Sequence, residues 1–298
     1  MRIAVTGASG LIGSALVPAL RADGHAVLRF VRGTPKQPDE RPWDPARHEL
    51  APEHLSAVDA VVHLAGAGVA DHRWTSSYKD TILRSRTDGT TTVAEAVAAS
   101  GRPTALLSAS AIGWYGDTGD QVTDETGPSG RGFLADVVRE WEASTQAAEK
   151  AGVRTVHLRT GIVLSHGGGA LAMQARAAKL GAGAPLGSGR QWVSWISMAD
   201  EIGAIRHLLL EDVEGPVNLV GPAPVTNTEF TRVLNRVVHR PTFPVHVPGF
   251  ALRALLGPVA DEGVLIGQRL VPAALQRSGY AFTHTDVEAA LRAELTPA

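Results

Sequence analysis

The feature that most constrains this chain stands near its N-terminus. Thr6-Gly7-Ala-Ser-Gly10-Leu-Ile-Gly13 lies between a strand-like run at residues 3–6 and a helix-like run at 11–23. Glycines spaced by three let the backbone turn tightly. They also let an anion approach the helix N-terminus, where free N–H groups and the helix dipole favour negative charge. A tight turn without a ligand uses the same residues. The strand before, the helix after and the position at the start of the chain favour a dinucleotide pyrophosphate, so Gly7, Gly10 and Gly13 are cofactor-binding candidates.

The second strand-like run, 25–31, bears on which dinucleotide. Folds that bind NAD usually end this strand with a carboxylate for the ribose 2′-hydroxyl. Here it ends Phe30-Val31-Arg32. An arginine suits a 2′-phosphate through charge-assisted, bidentate bonds, which points to NADP(H) and to Arg32. The alternative is that Arg29 and Arg32 are solvated surface charges.

Farther along, strand-like runs (60–64, 104–108, 155–158) alternate with helix-like runs (76–99, 133–151, 170–180). Residues 33–52 read as a proline-rich excursion. Alternation of this kind predicts an α/β fold: a Rossmann-type, doubly wound parallel sheet with a smaller C-terminal substrate region. The expected boundary lies at 165, with 1–165 holding the cofactor and 166–298 mainly the substrate. A core strand at 217–220 returns to the first sheet.

Composition narrows the function classes. A formal charge of −2 gives no positive field for nucleic acid or an acidic membrane, and the absence of cysteine excludes thiolate catalysis and cysteine-zinc sites. None of the eleven histidines forms a metal-binding pair spacing, so no metal is expected. The most apolar late segment, 249–267, is interrupted by Arg253, Pro258, Asp261 and Glu262, which predicts no membrane span. With no secretory signal pattern, a cytoplasmic protein is expected.

Further blocks carry a resemblance: His63-Leu-Ala-Gly66, Ser108-Ala-Ser-Ala-Ile-Gly-Trp-Tyr-Gly-Asp117, Leu158-Arg-Thr-Gly-Ile-Val-Leu164, Pro185-Leu-Gly-Ser-Gly-Arg-Gln-Trp192 and Gly267-Gln-Arg-Leu-Val-Pro272. Together with the glycine loop they resemble the extended short-chain dehydrogenase/reductases, and within them the "epimerase family protein" branch with its own C-terminal domain. The resemblance implies a Rossmann-type sheet and NADP(H). It assigns Ser9, Leu11 and Ile12 to the phosphate loop, Leu64, Ala65 and Gly66 to the adenosine-ribose side, and Ser108 and Ala109 to the nicotinamide side. Ser110 matches the superfamily's catalytic serine or threonine.

One part of that pattern is missing. If Glu142 matches the glutamate after the usual Tyr-x-x-x-Lys, then Leu134 and Val138 stand at the tyrosine and lysine places, and neither carries a proton. Tyr115, on the loop after the fourth strand, is the candidate donor, with Ser110 orienting a carbonyl and Asp117 or a water behind it. Asp117, Asp120, Asp124 and Glu125 are solvated loop acids or relay members. His63 reads as a packed histidine rather than a base. On the substrate side, Arg190, Gln191 and Trp192 lie between glycine-rich loops. Arg159, Arg176 and Arg269 are further candidates for an anionic substrate, each with a structural salt bridge as the alternative.

The expected function is an NADP(H)-dependent oxidoreductase or epimerase acting on a small carbonyl or nucleotide-sugar-like substrate. The alternative is an NADP(H)-binding protein without turnover. A small-molecule substrate is the expected partner, and a homodimer is left open.

Overall fold

A computed structural model describes residues 1–295. Its framework is one seven-stranded sheet, formed by β1 (Arg2–Thr6), β2 (Ala26–Val31), β3 (Glu40–Pro42), β4 (Ala60–His63), β5 (Ala105–Ala111), β6 (Arg154–Thr160) and β7 (Gly215–Leu219). The strand order is 3-2-1-4-5-6-7. β1 pairs in parallel with both β2 and β4, and the parallel ladder continues from β2 to β3 and from β4 to β5. The order therefore reverses between β1 and β4, and in open α/β sheets ligands bind beyond the carboxyl ends of the strands at such a point.

The centre of the sheet forms from short apolar runs; all four residues of β4 are buried. Helix α1 (Leu11–Ala22) follows β1, and α2 (Ser76–Ser100) follows β4. Thr75 caps α2, its hydroxyl accepting from the Tyr78 N–H at 3.1 Å. A core of Phe30, Trp43, Val61, Val93, Val97 and Leu106 fills the space between sheet and helix.

The chain divides into two compact units. The first contains residues 1–110, 137–158 and 202–217; the second contains 111–136, 159–201 and the chain from 218 onward. Residue 165 lies inside the second unit, and residues 202–217 return to the first, so the units alternate along the chain. The second unit has its own core, with Leu164, Leu171, Trp195, Phe230, Leu234 and Leu291 as members. The helix Asn227–Val237 opens it with a reciprocal-cap sequence, Thr226-Asn-Thr-Glu229, whose threonine hydroxyl accepts from the Glu229 N–H.

Two expectations change. Residues 33–52 are not only an excursion: they contain β3, because Arg29 on β2 grips Asp39 just before it. The run at 133–151 is two helices, α3 (Phe133–Ala143) and Gln146–Lys150. At the break, the Ser144 hydroxyl donates to the Glu140 carbonyl and the Thr145 hydroxyl to that of Glu142, bonds that compete with the regular ladder. Among the described residues no helix is long and apolar enough to cross a membrane.

Candidate active site

The glycine loop of the first unit is built by exclusion of side chains. Gly7 has φ +65°, and a Cβ there would lie 2.7 Å from the Leu64 carbonyl carbon. A Cβ on Gly13 would lie 2.2 Å from the Gly7 oxygen, so the helix meets the strand at a distance only glycine allows. α1 then opens without a side-chain cap at Gly10 and without an acidic residue in its first turn. The N–H groups of Leu11, Ile12 and Gly13 have no acceptor within the helix. Ser9 and Leu11 are exposed beside them. A dinucleotide pyrophosphate needs bare backbone donors and room for close approach, and both are present.

The loop after β4 lies against this cradle, as the contact of Gly7 with Leu64 and Ala65 requires. The Leu64 N–H is tied to the Thr6 hydroxyl at 3.2 Å. Behind Gly66 stands Arg86, which sequence reasoning missed. It is 9% exposed, stacks 4.9 Å over the Trp141 ring and donates to the carbonyls of Ala67 and Ile82. Burial lowers its pKa to about 10, so it remains a cation at neutral pH. The available signal was its place on the inward stripe of α2, between Ile82 and Val93.

The two arginines of β2 have different fates. Arg29 is held by Asp39 through bonds of 2.7 and 2.8 Å, and that hydrogen bond keeps the Asp39 carboxyl below the usual carboxylate range. It is a structural residue, not a solvated charge. Arg32 lies one residue past the end of β2, exposed and without a hydrogen bond or ion pair among the described residues. It is the uncommitted cation of the two.

At the end of β5, Ser108 and Ser110 are buried and Ala109 is half-buried. The Ser110 hydroxyl donates to the carboxylate of Glu142 at 2.6 Å. Glu142 itself is 8% exposed, and its second oxygen lies 3.9 Å from the His157 Nδ1. Val138, at the place of the missing lysine, is buried, and Leu134 is half-buried. The structure therefore brings Ser110 onto Glu142, a residue that the sequence offered only as an alignment marker. His63 is packed: its ring is edge-on to Trp43, bonded to the Thr6 hydroxyl at 2.7 Å, and burial pushes its pKa down to about 4. At neutral pH it is an uncharged packing residue and a weak base.

In the second unit, Tyr115 is 3% exposed; its hydroxyl donates to the Asn218 Oδ1 at 2.8 Å and accepts from Arg159 at 3.0 Å. Burial raises its pKa. In this structure the phenol packs as a strut, its proton directed at Asn218. The loop acids are likewise structural. Asp117 accepts from the Gly119 and Gly267 N–H groups, Asp120 accepts from the Trp192 indole, Asp124 holds Thr126, and Glu125 accepts from the N–H groups of Asn218 and Ala274.

The expected substrate cluster separates. Gln191 and Trp192 line a cavity of about 170 Å³, whereas Arg190 is exposed and is not among its lining residues. The Gln191 amide ties the wall together through the carbonyls of Leu186 and Val264. Arg269 stacks 4.1 Å over Trp192 in place of Arg190. Arg159 lies under Trp114 at 4.0 Å, and Arg176 is exposed. None of these arginines lines the cavity. Among the described residues no group of three potential ligands could hold a metal ion.

Comparison with known proteins fits this geometry. Residues 3–236 match the NAD dependent epimerase/dehydratase family. The chain belongs to that family. Residues 247–294 match a domain of unknown function (DUF1731). This family member is 48% identical over 290 residues to an epimerase family protein of Mycobacterium bovis, covering 97% of this chain and 96% of that one. Its fold superposes on the crystal structure of human epimerase family protein SDR39U1 with NADPH at a TM-score of 0.88, with 30% identity and 99% of each chain covered. A nucleoside-diphosphate sugar epimerase from Corynebacterium glutamicum gives a TM-score of 0.82 at 36% identity; the match covers 99% of this chain and 58% of that one. The Rossmann-type α/β fold and the C-terminal family domain are thus as the sequence implied.

Proposed function

We propose that this protein is an NADP(H)-dependent oxidoreductase or epimerase of a small carbonyl compound, in which Ser110 and Glu142 do the proton work that the absent Tyr-x-x-x-Lys pair would do. The observation that carries the proposal is the 2.6 Å bond from Ser110 to a buried carboxylate, within the unit that also bears the glycine cradle.

Gly7, Gly10 and Gly13, with the first N–H groups of α1, would hold the pyrophosphate. Arg32 would meet the 2′-phosphate, and Leu64, Ala65 and Gly66 would form the wall beside the ribose. The NADPH in the human SDR39U1 crystal structure supports the choice of cofactor. When bound, the nicotinamide supplies or accepts a hydride at the substrate carbon. The matching proton must be exchanged at the substrate oxygen by a group within hydrogen-bond reach. In alcohol oxidation, Ser110 Oγ takes the substrate proton as its own passes to Glu142, the direction in which their bond already points. In carbonyl reduction a protonated Glu142 refills Ser110 as the serine proton moves to the substrate oxygen.

Glu142→Gln keeps a hydrogen-bonding side chain but cannot carry a proton. Its NADPH affinity, by calorimetry, should stay within about twofold of the parent, while NADPH consumption with a panel of carbonyl compounds falls by roughly 10²–10⁴-fold. A Glu142→Gln variant as fast as the parent chain would remove Glu142 from the mechanism.

A further inference from the structure

The cavity of the second unit points to the substrate's chemistry, and this step rests on the oxidoreductase reading above. Its walls are apolar side chains, among them Ile162, Leu171, Leu186, Trp192, Phe230 and Val264. Among the described residues no Asp, Glu, Lys, Arg or His lines it. An anion entering such a space loses its hydration and meets no cation, which costs several kcal/mol at least. A sugar diphosphate meets the same barrier twice, because its sugar hydroxyls also need partners.

Most of the lining polar groups are already engaged. The Gln191 amide bridges two loop carbonyls, and the Ser194 hydroxyl donates to the Gln268 carbonyl at 2.6 Å. The Gln268 amide donates to the carbonyls of Ile112 and Gly116, and the Asn227 side chain accepts from the Leu186 N–H. Gln174 makes no hydrogen bond among the described residues and is half-buried. One free amide in an apolar space suits a ligand with one uncharged polar group. The volume also sets a scale: an apolar cavity of about 150 Å³ takes one benzene, and this one measures about 170 Å³.

We propose that the cavity binds the apolar, ring-sized part of an uncharged carbonyl compound, and that the substrate is of this class rather than a nucleotide sugar. The substrate's specificity then resides in an oily wall and one amide, with no anion-recognition site in the cavity.

The test reads binding without turnover. Met173 lines the cavity and is one of three methionines, so a ¹³C-methyl label gives it a resolvable signal. With NADP⁺ present, acetophenone should shift the Met173 methyl, benzoate should do so at least tenfold more weakly, and UDP-glucose should leave it unmoved. Ala170→Phe, which fills the cavity, should weaken acetophenone at least tenfold. Leu256→Arg, at a half-buried lining residue, should turn the preference toward benzoate and guards against misfolding of the Ala170→Phe variant. Benzoate or UDP-glucose binding as well as acetophenone, or a Met173 signal that never responds to acetophenone, overturns the assignment. If acetophenone binds but neither it nor its ring-substituted relatives consume NADPH, the cavity stands and the oxidoreductase reading falls.

Discussion

The glycine cradle of the first unit and the cavity of the second both leave room for a ligand, but they are made differently. The cradle consists of backbone: three glycines, one strand end and the open first turn of a helix within 13 residues. The cavity consists of side chains contributed by segments as far apart as Ile112 and Gln268. A backbone site has few acceptable sequences, because a Cβ at Gly7 or Gly13 would run into neighbouring backbone. A side-chain site tolerates many apolar residues of the right volume. The first should therefore be brittle and the second adaptable.

The largest expected effect tests that brittleness. In Gly13→Val the new Cβ falls 2.2 Å from the Gly7 oxygen and 2.8 Å from the Ala8 Cα, backbone atoms with no flexible group to yield. Urea unfolding should show a loss of about 3 kcal/mol or more. NADPH affinity should drop at least about a hundredfold. A valine variant that binds NADPH normally would mean that the loop is an ordinary turn.

The next prediction compares two buried titratable groups, one from each unit. His63 is held neutral, and Glu201 is fully buried with its pKa pushed up to about 8 by desolvation. One oxygen of Glu201 accepts from the Thr160 hydroxyl and the other has no partner. Its position in the first turn of the helix Met198–Leu210 favours the ionised form by only about 0.3–1 kcal/mol, too little to offset the desolvation. Because its folded pKa exceeds the ordinary 4.5, stability is full below pH 4.5 and declines as pH rises toward 8. Glu201→Gln should remove that decline, with a gain on the order of 3 kcal/mol at pH 9 and almost none at pH 4. For His63 the sign is opposite: stability is full above pH 6.5 and is lost as pH falls toward 4. Unfolding curves of the parent and the glutamine variant across this range check both, and parallel pH profiles would refute the burial of Glu201.

Tyr115→Phe separates a strut from an acid. Removing the hydroxyl leaves Asn218 without its donor and Arg159 without one acceptor, inside a core with Ile112, Val220 and Leu270. A stability loss of about 1–3 kcal/mol is expected. NADPH affinity should be unchanged, and so should turnover of any carbonyl the parent reduces. A turnover loss of about a hundredfold in a stable variant would restore Tyr115 as the acid in place of the Ser110–Glu142 pair.

How much of this could be read in advance follows from the same contrast. The glycine loop and the parallel, helix-covered sheet were legible because glycine spacing and strand–helix alternation are local signals, whereas the strand order and the approach of Leu64 to Gly7 came only with the structure. Gln191 and Trp192 stood out because glycine-rich loops flank them, and both line the cavity, while Arg190 beside them does not: adjacency in sequence does not fix which way a loop side chain faces. For Tyr115 the sequence left packing and catalysis open, because a buried tyrosine and a catalytic one look alike until the partners of the hydroxyl are known. Arg86 and Glu142 were hidden for a related reason. Each is a charge on the inward face of a helix, and only tertiary packing shows whether such a charge has a partner.

The smallest expected effect lies at the edge of the cradle, where a side chain takes over from backbone. Arg32 adds affinity only through the 2′-phosphate, at an exposed position where water screens the charge. That limits it to about 1.5 kcal/mol, or roughly a tenfold preference for NADPH over NADH. Arg29 cannot substitute, because Asp39 and Glu40 hold it against β3. Arg32→Asp should therefore erase the preference, and it should leave NADH affinity nearly unchanged because the pyrophosphate still rests on backbone. Calorimetry with both cofactors at two salt concentrations tests this. The NADPH preference of the parent should shrink at high salt while NADH affinity holds. Equal affinities in the parent would mean that no cation meets the 2′-phosphate, whereas a preference that survives Arg32→Asp would mean that it is met elsewhere, with Arg86, the buried cation behind Gly66, the next residue to replace.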